Sequence, residues 1–108
     1  MRDERLLLGD ILEAIERVER YASCGREAFD YDELIQVWIV HHLQVLGEAA
    51  SNLSDDLRAQ HAEIRWLEII SMRYILVHEY FGVDLETVWA TVEQDLPVLK
   101  QQARGILD

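Results

Sequence analysis

The fold turns on residues 32–52, Asp32-Glu33-Leu34-Ile35-Gln36-Val37-Trp38-Ile39-Val40-His41-His42-Leu43-Gln44-Val45-Leu46-Gly47-Glu48-Ala49-Ala50-Ser51-Asn52. Asp32 is an N-cap residue type, and the run after it reads as a helix over Glu33–Asn52. Leu34, Ile35, Val37, Trp38, Ile39, Val40, Leu43, Val45 and Leu46 make that helix apolar almost all round. Such a helix belongs in the middle of a bundle. One chain of 108 residues can hardly cover it, so the same stretch points to a dimer.

Towards the N-terminus, Leu7, Ile11, Ala14, Ile15, Val18 and Ala22 recur at three- and four-residue steps, which predicts a first helix from about Asp3 to Tyr21. Glu13 with Arg17 and Glu16 with Arg20 are i,i+4 pairs in the favourable order on its wet face. Ser23-Cys24-Gly25 ends it, and residues 26–31 read as a connector with room for one helical turn. Towards the C-terminus, Asn52 to Ile64 is polar, and Ser54-Asp55-Asp56 caps a short turn of helix. A third helix, Arg65 to Tyr80, carries Trp66, Ile69, Ile70, Ile75, Leu76 and Val77 and is closed by Gly82. Asp84 caps a fourth, whose stripe is Leu85, Val88, Val92, Leu96, Leu99, Ala103 and Ile106. Pro97 lies within that helix and lacks a backbone donor, which predicts a kink near Glu93–Pro97. There is no strand-like alternation and no internal repeat. The expected fold is one all-α domain over residues 1–108, an up-and-down bundle of about four main helices plus a short connecting helix.

Half the residues are apolar, enough for a packed core and too many for a disordered tail. No apolar run approaches the roughly 18 residues that a membrane span needs. Met1-Arg2-Asp3-Glu4-Arg5 followed by three leucines is not a signal-peptide pattern. The single cysteine, Cys24, cannot form an internal disulfide, and a reducing cytoplasm is the expected compartment. The net charge of −11 argues against a general nucleic-acid binder, since phosphate repels such a surface. The charge is uneven, however. Residues 65–83 are neutral, with Arg65 and Arg73 balancing Glu68 and Glu79, and a phosphate is best met there.

The histidines supply the chemistry-bearing candidates. His41 and His42 are adjacent on one helix and point about 100° apart, with no carboxylate at a matching i+3 or i+4 position. No metal site is therefore expected, and they read as bundle or interface histidines. His61 falls in the polar connector and reads as solvated. His78 lies in Arg73-Tyr74-Ile75-Leu76-Val77-His78-Glu79-Tyr80. Arg73 and His78 are displaced about 7.5 Å along a helix axis, and Arg73 and Tyr80, seven apart, share nearly one face. An arginine binds phosphate oxygens bidentately, and a histidine near neutrality moves protons. Together they can cleave RNA without a metal: the histidine helps the 2′-hydroxyl attack phosphorus, and the arginine holds the developing charge. The bland alternative pairs Arg73 with Glu68 or Asp84 and has His78 cap a helix end. Spacing leaves both open.

The run Arg73-x4-His78-x-Tyr80 resembles the signature of the HepT toxins, a branch of the HEPN superfamily. Gly47-Glu48-Ala49-Ala50 with Leu53-Ser54 resembles the family's second-helix motif. Glu63-Ile64-Arg65-Trp66, Ile69 to Arg73 and Leu76 to Asp84 resemble its third-helix block, and Val88-Trp89 and Asp95-Leu96-Pro97 its last helix. The resemblance runs from about Arg5 to Leu107. It implies a HEPN-like fold and a metal-independent ribonuclease toxin, needing no cofactor, that acts as a homodimer with the two motif copies at a cleft between protomers. It implies Arg73 and His78 as the catalytic pair, with Tyr74 and Glu79 as supporting residues. Tyr80 is implied as the tyrosine to which an MntA-like nucleotidyltransferase antitoxin adds AMP. One residue departs from the pattern: the position after the arginine is usually polar, most often asparagine, and is Tyr74 here. A non-catalytic helical partner of a nucleotidyltransferase is the alternative reading.

Overall fold

The structure, a computed structural model, describes residues 3–78 and 84–108, and of Ile75, Val77 and His78 only the backbone. Its elements are α1 (Glu4–Ala22), α2 (Arg26–Tyr31), α3 (Glu33–Ser51), α4 (Asp55–Gln60), α5 (Trp66–His78), α6 (Leu85–Ala90), a π-helical turn over Thr91–Asp95, and α7 (Leu96–Leu107). Among the described residues there is no strand, and the all-α bundle expected from the periodicity is what forms. The expected continuation of the third helix to Tyr80 and its closure at Gly82 lie outside the described residues.

Helix starts follow from side-chain oxygens that satisfy otherwise unpaired backbone donors. Asp3 accepts from Arg5 N at 2.7 Å, Asp32 from Leu34 N at 2.9 Å, Ser54 Oγ from Leu57 N at 3.1 Å and Asp84 from Glu86 N at 3.0 Å.

Helix α3 packs most extensively on α1 and next on α5. Leu8, Ile11, Ile15 and Val18 of α1 and Ile39, Leu43, Leu46 and Ala50 of α3 are fully buried. Each large side chain so buried stabilises the fold by about 1.5–3 kcal/mol. The chain covers its central helix better than its sequence suggested: of its large apolar residues only Leu34, Val37 and Val45 remain exposed.

Two local features go beyond the expectations. Residues 26–31, read as a connector with room for one helical turn, are helical throughout as α2. Gly25, at φ +97°, adopts a backbone conformation that favours glycine and starts it, and Arg26 pairs with Asp30 at 2.9 Å. Its Phe29 is fully buried with its ring 5.2 Å from that of Trp89, so α2 plugs the bundle. The irregularity expected near Glu93–Pro97 takes the form of a change in helix winding. The π-helical turn precedes Pro97, with Leu96 N–H donating to Thr91 O five residues back, and the proline falls in the first turn of α7. Widening the turn makes room for the proline ring, which clashes with the carbonyl four residues earlier in an ordinary α-helix.

Candidate functional site

Helices α3 and α5 approach closely where Gly47 faces Arg73. A Cβ at residue 47 would collide with Arg73 Cβ and lie 3.2 Å from Arg73 Cγ and 3.3 Å from Ile69 O. The absence of a side chain lets Arg73 lie across α3. Its guanidinium reaches Glu48 Oε2 at 2.6 Å, with both side chains partly exposed. Further along the seam, Gln44 Nε2 donates to Leu76 O at 3.1 Å and ties α3 to the last described turn of α5.

Arg73 opens into a groove of about 430 Å³ between α1, α3 and α5, where Asp10, His41, Gln44, Glu48 and Asn52 supply polar groups. The carboxylates that the bland alternative gave to Arg73 are engaged elsewhere. Glu68 pairs with Arg65 at 3.3 Å, and Asp84 caps α6 while accepting from Thr87 Oγ1 at 3.0 Å. Tyr74, next to Arg73, is exposed. The side chain of His78, and Glu79 and Tyr80 entirely, lie outside the described residues.

The paired histidines part company. His41 is exposed and lines the groove. His42 is buried beside Trp38, ring centroids 4.5 Å apart, and its Nδ1 has no hydrogen-bond partner among the described residues. Burial, then the neighbouring His41, pushes its pKa down. His61 is partly buried, its Nδ1 3.7 Å from Glu63. Among the described residues no three of His, Cys, Asp and Glu converge on a point where a metal could sit.

Gly47 and Glu48 were legible only as part of a motif. Their role depends on Arg73, far along the chain from both, and the available signal was the run of small residues Gly47, Ala49, Ala50 and Ser51, which permits a close helix neighbour.

This arrangement sits inside a known sequence family: the model described as "Ribonuclease HepT-like" matches residues 11–106. The chain belongs to the HepT-like family. A relative from Thermococcus cleftensis, named "Probable ribonuclease HepT", is 40% identical over 100 residues, covering 92% of this chain and 91% of that protein. A protein of Caldanaerobacter subterraneus subsp. tengcongensis, named as a candidate RNase, is 36% identical over 108 residues, covering 99% of this chain and 96% of its own length. A Methanocaldococcus jannaschii protein, named both as a gamma-glutamylcyclotransferase and as a candidate RNase, is 35% identical over 99% of this HepT-like chain, which spans 49% of that protein. No solved structure matches the chain.

Proposed function

We propose that the chain is a ribonuclease toxin that cleaves RNA phosphodiester bonds without a metal ion, at a cleft shared by two copies. Arg73 holds the scissile phosphate and His78 moves the proton. The 2′-oxygen, relieved of its proton by His78, bonds to phosphorus, and the 5′-oxygen leaves with the proton that His78 gives back, giving a 2′,3′-cyclic phosphate and a 5′-hydroxyl. The observation that carries this reading is Arg73 itself. A member of a HepT-like family presents its motif arginine in an open groove, with a guanidinium able to bind phosphate through two donors. Tyr74 and Glu79 flank the pair as supporting residues. The proposed partner is a cytoplasmic MntA-like nucleotidyltransferase antitoxin that adds AMP to Tyr80, filling the cleft with an anion in place of RNA.

A second reading, a non-catalytic subunit of that nucleotidyltransferase, draws on Tyr74 standing beside Arg73 where the family has a smaller polar residue. One experiment separates the two. Purified protein is incubated with RNA, with and without chelator, and its mass is taken after co-expression with the partner. Cleavage that survives chelator and falls about 10²–10⁴-fold in Arg73→Ala or His78→Ala supports the nuclease. AMP-sized mass additions lost in Tyr80→Phe support the modification. No cleavage, with the partner still bound, supports the subunit.

A further inference from the structure

The Arg73–Glu48 contact crosses between helices, and it forms where a side chain on residue 47 would block it. We propose that Glu48 is a positioning residue for the Arg73 guanidinium, and that Gly47 is the contact that lets it act. The inference rests on the reading of Arg73 as the group that holds substrate phosphate.

An arginine leaving a helix has many rotamers, and ordering it on each substrate phosphate costs conformational entropy. Glu48 takes one end nitrogen at 2.6 Å. A guanidinium carries five donors, so a single carboxylate oxygen leaves donors for a phosphate approaching along the groove. The carboxylate also offsets the charge of Arg73, which lowers attraction for any anion that is not correctly placed. Removing the Glu48 charge while keeping its shape therefore splits two effects: phosphate is attracted as well or better, and the guanidinium is held less well. A pair that only joined α3 to α5 would give no such split. Gly47 acts one step further back. A methyl group there pushes Arg73 Cβ away and carries the guanidinium off Glu48.

The test uses the full chain and a short RNA oligonucleotide that the wild type cleaves. Glu48→Gln is expected to lower kcat about tenfold with KM unchanged or lower, and Glu48→Ala to lower kcat about a hundredfold, the scale of a 1 Å misplacement. Gly47→Ala is expected to match Glu48→Ala, and the double variant to be no worse than either, because both act through one guanidinium. A second measurement is independent of activity: the Arg73 Nε–H NMR resonance, assigned by its loss in Arg73→Lys, should shift towards that of a free arginine in Glu48→Ala and Gly47→Ala. Wild-type cleavage rates in Glu48→Ala with an unmoved resonance overturn the proposal, as do fully additive losses in the double variant. A wild type that cleaves nothing overturns the nuclease reading instead. The resonance then decides whether Glu48 holds Arg73: a shift in Glu48→Ala upholds the clamp and no shift overturns it.

Discussion

His42 shows what burial does to a single titratable side chain. It is 8% exposed, its Nδ1 is unpartnered among the described residues, and its pKa lies below the ordinary 6.5, first because it is buried and then because His41 and Arg17 are near, against a smaller opposing effect of Glu13. The unfolded chain therefore binds a proton near pH 6.5 that the folded chain resists. The folded form is favoured above that pH and loses stability as the pH falls below it. His42→Leu removes both the titration and the unpaired nitrogen. Urea midpoints at pH 7.5 and 5.5 should differ less for the variant than for the wild type. At pH 7.5 the variant should be more stable by about 1 kcal/mol, the lower end of the cost of an unsatisfied buried polar group. A wild type whose midpoint does not fall at pH 5.5, or a variant that falls equally, would show that other groups carry the acid sensitivity. Arg73 contrasts with it. Its residue type and its place in the family motif are legible in the sequence, but its ion-pair partner is not, because Glu48 comes from another helix and only packing brings the two together.

Among the helical elements, the last one separates pattern from geometry. Its apolar stripe is real, with Val88, Val92, Leu96, Leu99 and Ala103 all buried. The stripe gives no hint that a π-helical turn over Thr91–Asp95 accommodates Pro97. A proline in a helix interior costs about 3 kcal/mol, so removing one there would stabilise the protein strongly. At the first turn of α7 little strain is left to relieve, and Pro97→Ala should change stability by less than about 1 kcal/mol in either direction. Thermal denaturation with a rise of more than about 8 °C would contradict that placement. The N-caps Asp32, Ser54 and Asp84 were legible because capping is local chemistry. Helix α2 was not. Six residues hold too little periodicity, and its reason for forming, the burial of Phe29 against Trp89, lies some 60 positions away.

At the scale of the whole molecule, exposed apolar side chains are spread over several helices, with Leu6 and Tyr21 on α1, Tyr31 on α2 and Val98 on α7, and two helices that border the Arg73 groove carry the rest. Leu34 (81% exposed), Val37 and Val45 lie on α3, and Leu67 (78%) and Tyr74 (62%) lie on α5. One chain thus covers most of α3 and leaves an edge of exposed residues rather than a whole helix face. Two copies each carrying −11 repel one another, so association must come from apolar contact working against charge. Salt then acts in opposite directions on the two proposed interactions. Raising it from 0.1 to 1 M shortens the screening length from about 10 to about 3 Å, which relieves repulsion between copies. The same change weakens any contact with RNA phosphates. Light scattering at micromolar concentration should therefore give twice the chain mass, with the dimer fraction growing as salt is added. Val45→Glu, at an exposed site beside the Arg73 groove, should shift the protein to monomer without loss of helical circular dichroism. If the two motif copies share one cleft, that variant also loses RNA cleavage, although Arg73 and His78 are intact. A wild type that scatters as a monomer at every salt concentration would remove the shared cleft, and a monomeric Val45→Glu that still cleaves would place the whole active site within one chain.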